Sequence, residues 1–514
     1  MQWLKNLVGL VTLSWLPPAR RWRTIYWTVH ILVVVLVVVA LGYLNIQGGL
    51  DRVLRTRWLG VDRVWLPLLF LLGYALFWLI RWLYWLLGPD GVVGEFDDLE
   101  TAWASARQEL ERVGLDLRMT PVFLVLGRTE GNLEQVFSAS RLPLQVRNTP
   151  ADEQAPLHVF ANREAIFVTA EGASLLAVQA ARLIEGDVPA VAGPAQPLEE
   201  YLEPAVSTPV VSPDLAVGAE ARAGAVLLLG ETENEPDLMS RPRREALLTD
   251  REQVELQTRR LRHLCRILGR DRRPYCPVNG MLLLLPLAAT ANPVDASETA
   301  GVIRHDLEVA RGALQLDCPR LVVMGGAERI PGFAELLRHF PQEGTGPSWV
   351  LGQHFPLIPD VPAAQAPALI EQGVSWVGDS MLPLVISQLW RREGEEGVTE
   401  YHQALEANIL LYEFLDDCRK RLALLGRLAA RGVHVEGAPA YLGGCYLAGT
   451  GADAAREQGF LGGVLRRLIE QQNHVRWTGD ALADDEAYHR FTFVGYILLA
   501  IFVVVIALIL IAWW

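Results

Sequence analysis

Residues 119–137 read M-T-P-V-F-L-V-L-G-R-T-E-G-N-L-E-Q-V-F. The first half is a short apolar run of Val, Phe and Leu that stops at Gly127, the pattern of a buried strand entering a tight turn. The second half is polar and then amphipathic, with Leu133, Val136 and Phe137 spaced along one helix face. Strand, glycine turn and helix start make the frame of a phosphate-binding loop, G-x-x-x-x-G-K-[ST]. Gly127 keeps the first position, and Asn132, Leu133 and Glu134 fill the next three.

Such a loop works through close backbone approach, exposed N–H groups and a lysine that together hold a polyphosphate. Asn132 adds a side chain where glycine permits that approach. Leu133 supplies no cation, and Glu134 puts a carboxylate where a hydroxyl would hold Mg²⁺. Like charges about 4 Å apart repel by roughly 4 kcal/mol at an effective dielectric near 20. A shifted register does not restore the site, because the chain has only two lysines, Lys5 and Lys420. The loop is expected to hold no cofactor.

At 514 residues the chain has room for several domains. Its net charge of −13 argues against nucleic acid, which demands a basic stripe. The five cysteines lack C-x-x-C spacing and the ten histidines lack H-x-x-x-H spacing, so neither a disulfide framework nor a metal site is expected. Cys445 after Gly443 and Gly444 is read as a small core residue.

Three stretches are membrane-like. Residues 25–44 and 64–87 are apolar enough in sequence to span a bilayer as a hairpin, flanked by Arg and Trp, and residues 491–514 are apolar to the end. His489 and Arg490 before the last stretch predict a cytoplasmic location for the bulk of the chain. The expected organisation is a cytoplasmic segment 1–24, a transmembrane hairpin 25–87, a linker helix 88–118, an α/β domain 119–361 carrying a Pro-rich insertion at 185–250, a helical extension 362–490, and a transmembrane helix 491–514. Strands are expected near 122–126, 165–169, 278–287 and 320–324, alternating with helices, which implies a parallel sheet. Residues 440–447 read as a further, lone strand. In the helical part, Leu405, Ile409, Tyr412, Phe414 and Leu415 are expected in the core. The arginine-rich run after Arg251 reads as a solvated helix face.

Several of these pieces, in this order, resemble the IcmF-type inner-membrane component of type VI secretion systems. T-P-V-F-L-V-L-G at 120–127 is similar to that family's strand into its phosphate loop. A-I-F-V-T-A-E-G at 165–172 is similar to its D-T-A-G strand, with Thr169 in place of the aspartate and Gly172 kept. Asn279–Gly280 matches an Asn-Gly seen there. V-V-M-G-G-A-E-R-I-P-G-F at 322–333 is similar to the strand ending in T-K-x-D, with Gly325, Gly326 and Glu328 replacing Thr, Lys and Asp. L-G-G-C-Y-L-A-G-T-G at 442–451 resembles the segment closing the helical part. The resemblance implies an α/β P-loop-NTPase-like domain with a helical extension and three transmembrane helices in the bacterial inner membrane. All three nucleotide motifs are altered together, and the family's large periplasmic region does not follow the third span.

Two functions follow. One is a non-catalytic membrane scaffold, with a pseudo-GTPase domain that docks protein partners of a secretion complex and a possible homo-oligomeric state. The other is a membrane-anchored nucleotide-binding regulator or NTPase with a rewired site.

Overall fold

In the computed structural model the described residues are 20–47, 61–87, 95–152, 154–187, 246–340, 350–357, 365–390, 398–435, 441–487, 489–490, 493 and 496. The chain divides into two compact units, Met1–Glu95 with Gly479–Trp514, and Phe96–Thr478.

The first unit contains the helices Arg20–Gln47 and Val61–Leu87, of 28 and 27 residues. The third expected span, 491–514, lies outside the described residues except for Phe493 and Tyr496. No helix among the described residues is long and apolar enough to cross a membrane, which overturns the expected transmembrane hairpin. The expectation set the apolar runs between Arg and Trp flanks, whereas the helices that form extend across those flanks and take in their charged positions. Arg20, Arg21 and Arg23 open the first, which also carries His30 and Asn45; Asp62, Arg63 and Arg81 lie in the second. His30 Nε2 and the Tyr74 hydroxyl share a hydrogen bond between the two helices.

The second unit is built on strands β1 (Val122–Gly127), β2 (Val146–Thr149), β3 (His158–Ala161), β4 (Ile166–Thr169), β5 (Gly280–Leu285), β6 (Leu316–Asp317), β7 (Arg320–Met324), β8 (Leu351–His354) and β9 (Leu442–Leu447). Eight of them form one sheet in the order β2-β3-β4-β1-β5-β7-β9-β8. The five central strands β4, β1, β5, β7 and β9 run parallel, while β2, β3 and β8 are added antiparallel at the edges. The short β6 pairs instead with Arg476–Trp477. The expected strands thus share one sheet, and the run at 440–447 joins it beside β7.

Both faces of this sheet are covered, and the strand sequences show why they read as unbroken apolar runs. In β1, Val122, Leu124 and Leu126 enter the larger core with the helices Asp97–Val113, Leu175–Asp187, Arg251–Arg272 and Pro293–Leu314. Phe123 and Val125 enter the smaller core on the opposite face, with the helices Leu133–Ala139 and Gly462–Glu470. Asn279 ties three elements together. Its Oδ1 accepts from Val122 N (3.1 Å) and Arg272 Nη2 (3.3 Å), and its Nδ2 donates to Gln472 O (3.3 Å). Gly280 follows because a Cβ there would lie 3.1 Å from the Phe123 ring and 3.0 Å from Leu468.

The helix Leu175–Asp187 is capped by a side chain from another helix. Asp306 accepts from Ser174 Oγ (2.8 Å), Leu176 N (2.9 Å) and Leu175 N (3.3 Å). Burial pushes its carboxyl up to about 6, against these three donors. Asp306→Ala leaves the donors buried without an acceptor and should cost about 2–4 kcal/mol in chemical denaturation. Asp306→Asn keeps an acceptor and should cost less than the alanine.

Between β8 and β9 the chain is helical: Ala366–Trp376, a π turn Val377–Met381, Leu382–Leu389 and the 35-residue helix Val398–Gly432. Phe414 is buried and Leu415 packs against the core as expected. Leu405, Ile409 and Tyr412 are not core: they are 43, 49 and 62 % exposed. Of the Pro-rich insertion, the described parts are the end of the helix at Asp187 and the turn Leu247–Thr249; residues 188–245 lie outside the described residues.

Candidate functional site

In open α/β sheets a ligand lies beyond the carboxyl ends of the parallel strands. Here the loops after β1, β5, β7 and β9 meet at that edge. The turn begins at Gly127, whose φ is +85° and where a Cβ would lie 2.1 Å from Leu284 O on β5. Only glycine fits.

After the loop, Asn132 is the N-cap of Leu133–Ala139, closed as a capping box. Its side chain accepts from Glu134 N (3.3 Å), and Gln135 Oε1 accepts from Asn132 N (3.1 Å). Leu133 turns inward to the smaller core, 4 % exposed. Glu134 is exposed in the first turn of the helix. Of the positions compared with a phosphate loop, Asn132 therefore caps a helix, Leu133 packs, and Glu134 faces solvent.

The residue that fills the edge is one the sequence reading passed over. Glu130 Oε1 accepts from Leu287 N (2.5 Å) and Ala288 N (3.4 Å) in the turn after β5. Arg329, from the turn after β7, stands 3.7 Å from the same oxygen. Burial, outweighing those amides and Arg329, pushes the Glu130 carboxyl up to about 7. Among the described residues its Oε2 and the neighbouring Thr129 Oγ1 are buried without a hydrogen-bond partner.

Gly325 and Gly326 make the room. A Cβ at Gly325 would lie 2.5 Å from Thr129 Cγ2, and one at Gly326, where φ is +83°, 2.7 Å from Glu130 Oε2. The loop after β1 thus crosses the end of β5 to reach the turn after β7. Glu328 acts similarly on the far side: its Oε2 accepts from Thr450 N (2.9 Å), while Thr450 Oγ1 accepts from Gly326 N (3.2 Å). Burial, and the Glu457 charge to a lesser degree, raise the Glu328 carboxyl.

Thr169 and Gly172 lie one strand away, Thr169 in register with Val125 of β1. Thr169 Oγ1 accepts from His158 N (3.0 Å) and donates to His158 O (3.2 Å), so it serves the β3–β4 ladder. Gly172 donates its N–H to Pro156 O (2.8 Å) and accepts from Arg260 Nε (2.7 Å). The structure therefore brings Gly127, Glu130 and Glu328 to one edge and gives Thr169 and Gly172 structural hydrogen bonds beside it.

The chemistry available at this edge is that of carboxylates already bound to backbone amides. No group of three or more His, Cys, Asp or Glu side chains suited to a metal ion occurs among the described residues. The five cysteines are free thiols, with Cys265, Cys318, Cys418 and Cys445 buried. Burial pushes Cys265 and Cys318 up to about 12, far from a reactive thiolate.

Residues 255–475 match the family model described as the IcmF-related N-terminal domain. The match takes in β5, β7, β9, the helical segment and Glu328; it begins downstream of Gly127, Glu130 and Thr169. No curated protein and no solved structure matches the chain.

Proposed function

Taking the IcmF-related domain at residues 255–475 as premise, we propose that the chain is a non-catalytic scaffold of a type VI secretion assembly, with a pseudo-GTPase domain kept for its shape. The family match supports a secretion-system component with protein partners. One observation carries the rest of the reading: the edge where a nucleotide would lie is filled from within. Glu130 takes the amides after β5, Glu328 takes the amide of Thr450, and Thr129 packs at Gly325. A triphosphate arriving there finds the Leu287 and Ala288 amides already taken by Glu130, and no lysine.

Isothermal titration of the full chain with GTP–Mg²⁺ or ATP–Mg²⁺ tests this. Binding should be weaker than about 1 mM, a free energy of only some −4 kcal/mol. A micromolar dissociation constant for either nucleotide would overturn the pseudo-enzyme reading.

A further inference from the structure

Along the helix Val398–Gly432 the inward face is continuous: Leu411, Phe414, Cys418, Leu422, Leu425 and Ala429 are all buried. The outward face changes character halfway. In the second half it is charged and paired, Arg419 with Asp379 (2.6 Å), Lys420 with Asp416 (2.7 Å) and Arg427 with Glu371 (3.2 Å). In the first half an apolar line runs along it, beside exposed polar residues such as Gln403. Leu405, Ile409 and Tyr412 follow one another at i, i+4 and i+7, the spacing of a single stripe, each about half exposed.

The stripe has an acidic border. Glu406 and Glu413 lie roughly a quarter-turn round the helix from it, and Asp416 continues its line. All three are exposed; among the described residues Lys420 partners Asp416, while no ion pair engages Glu406 or Glu413. A face built only for water would carry the charged pairs seen further along. A stripe-on-stripe contact with a second copy of this chain would bring Glu406 and Glu413 of both copies together, which is costly.

We infer that the Leu405–Ile409–Tyr412 stripe is a docking surface for a basic amphipathic helix of a partner protein, its apolar face on the stripe and its Lys or Arg residues against Glu406 and Glu413. From Leu405 to Tyr412 the stripe is about 10 Å long, enough for two turns of a partner. So small a contact belongs to the weak, transient class of interface. The inference rests on the scaffold reading and adds to it a surface and the chemistry of its partner.

Two labelled amphipathic peptides with the same apolar face, one flanked by lysines and one by glutamates, test it by fluorescence anisotropy on the full chain. The Lys-flanked peptide should bind about tenfold more tightly, and the advantage should shrink at about 0.5 M salt. Glu406→Lys with Glu413→Lys should reverse the preference, and Ile409→Ser should weaken both peptides. All these side chains are exposed, and circular dichroism checks that each variant folds. Absence of binding, equal affinity for both peptides, or insensitivity to Ile409→Ser overturns the inference. So does concentration-dependent dimerisation that Ile409→Ser abolishes, since the stripe would then serve a second copy. The nucleotide titration is read separately: heat with GTP defeats the scaffold reading, whereas loss of peptide selectivity alone defeats only this surface.

Discussion

Between pH 5 and pH 8 the native chain should lose about 2.5 kcal/mol of folding stability that a Glu130→Gln variant does not lose. The sign follows from the carboxyl being raised from its ordinary 4.5 to about 7 in the fold. Below 4.5 both folded and unfolded chains hold the proton and nothing is lost. Between 4.5 and about 7 the folded chain binds it more tightly, so raising the pH favours the unfolded chain. Above 7 both are ionised and the difference is constant. Glutamine keeps an acceptor for the amides of Leu287 and Ala288 and has no proton to lose. Denaturant titrations of both proteins at several pH values measure the difference, which cancels contributions from other groups such as Asp306. Parallel curves for the two proteins would show that Glu130 is solvated, and that the carboxyl edge is open.

Gly127→Ala should be the most damaging single substitution at the site. Its Cβ would lie 2.1 Å from a β5 carbonyl oxygen and 3.0 Å from the Leu176 side chain, in a backbone conformation with φ of +85°. Leu284 stands in the β1–β5 ladder, so moving its carbonyl disturbs the centre of the sheet. The cost should reach about 4 kcal/mol or more, the range of strained backbone added to overpacking. Thermal unfolding of the variant beside the parent reads it directly. A loss under about 1 kcal/mol would mean that the turn yields far more easily than a packed sheet edge should.

What the sequence disclosed follows from which forces are local. β1, β5 and β7 were legible because a strand buried on both faces must be apolar at every position, and those residues are contiguous. The edge strands β2 and β8 were not, because four residues such as Leu-Gly-Gln-His carry no alternation to detect. Glu130 was missed for a different reason. The loop was compared at fixed positions, while the amide that Glu130 serves lies 157 residues downstream. The glycine pair at 325 and 326 was read as a lost lysine motif, but it equally marked where another side chain needed space. Leu405, Ile409 and Tyr412 repeat with the helical spacing of the true core residues Leu411, Phe414 and Cys418. Periodicity identifies a stripe without saying which stripe faces inward. The hairpin expectation set apolar runs between Arg and Trp flanks, but each helix that forms runs on through its charged flank.

The position of β9 bears on how the chain assembles. β8 precedes β9 by some ninety residues yet sits outside it, so β9 must enter between β7 and β8. During synthesis, β7 therefore waits with one row of backbone donors and acceptors unpaired until residues 442–447 leave the ribosome. The helices Ala366–Trp376 and Val398–Gly432 are made during that interval and pack on each other and, for the second, on the already synthesised helix Pro293–Leu314. A nascent chain released before Tyr441 carries an open strand edge beside a finished helical layer, the kind of intermediate that pairs with neighbours and calls on chaperones.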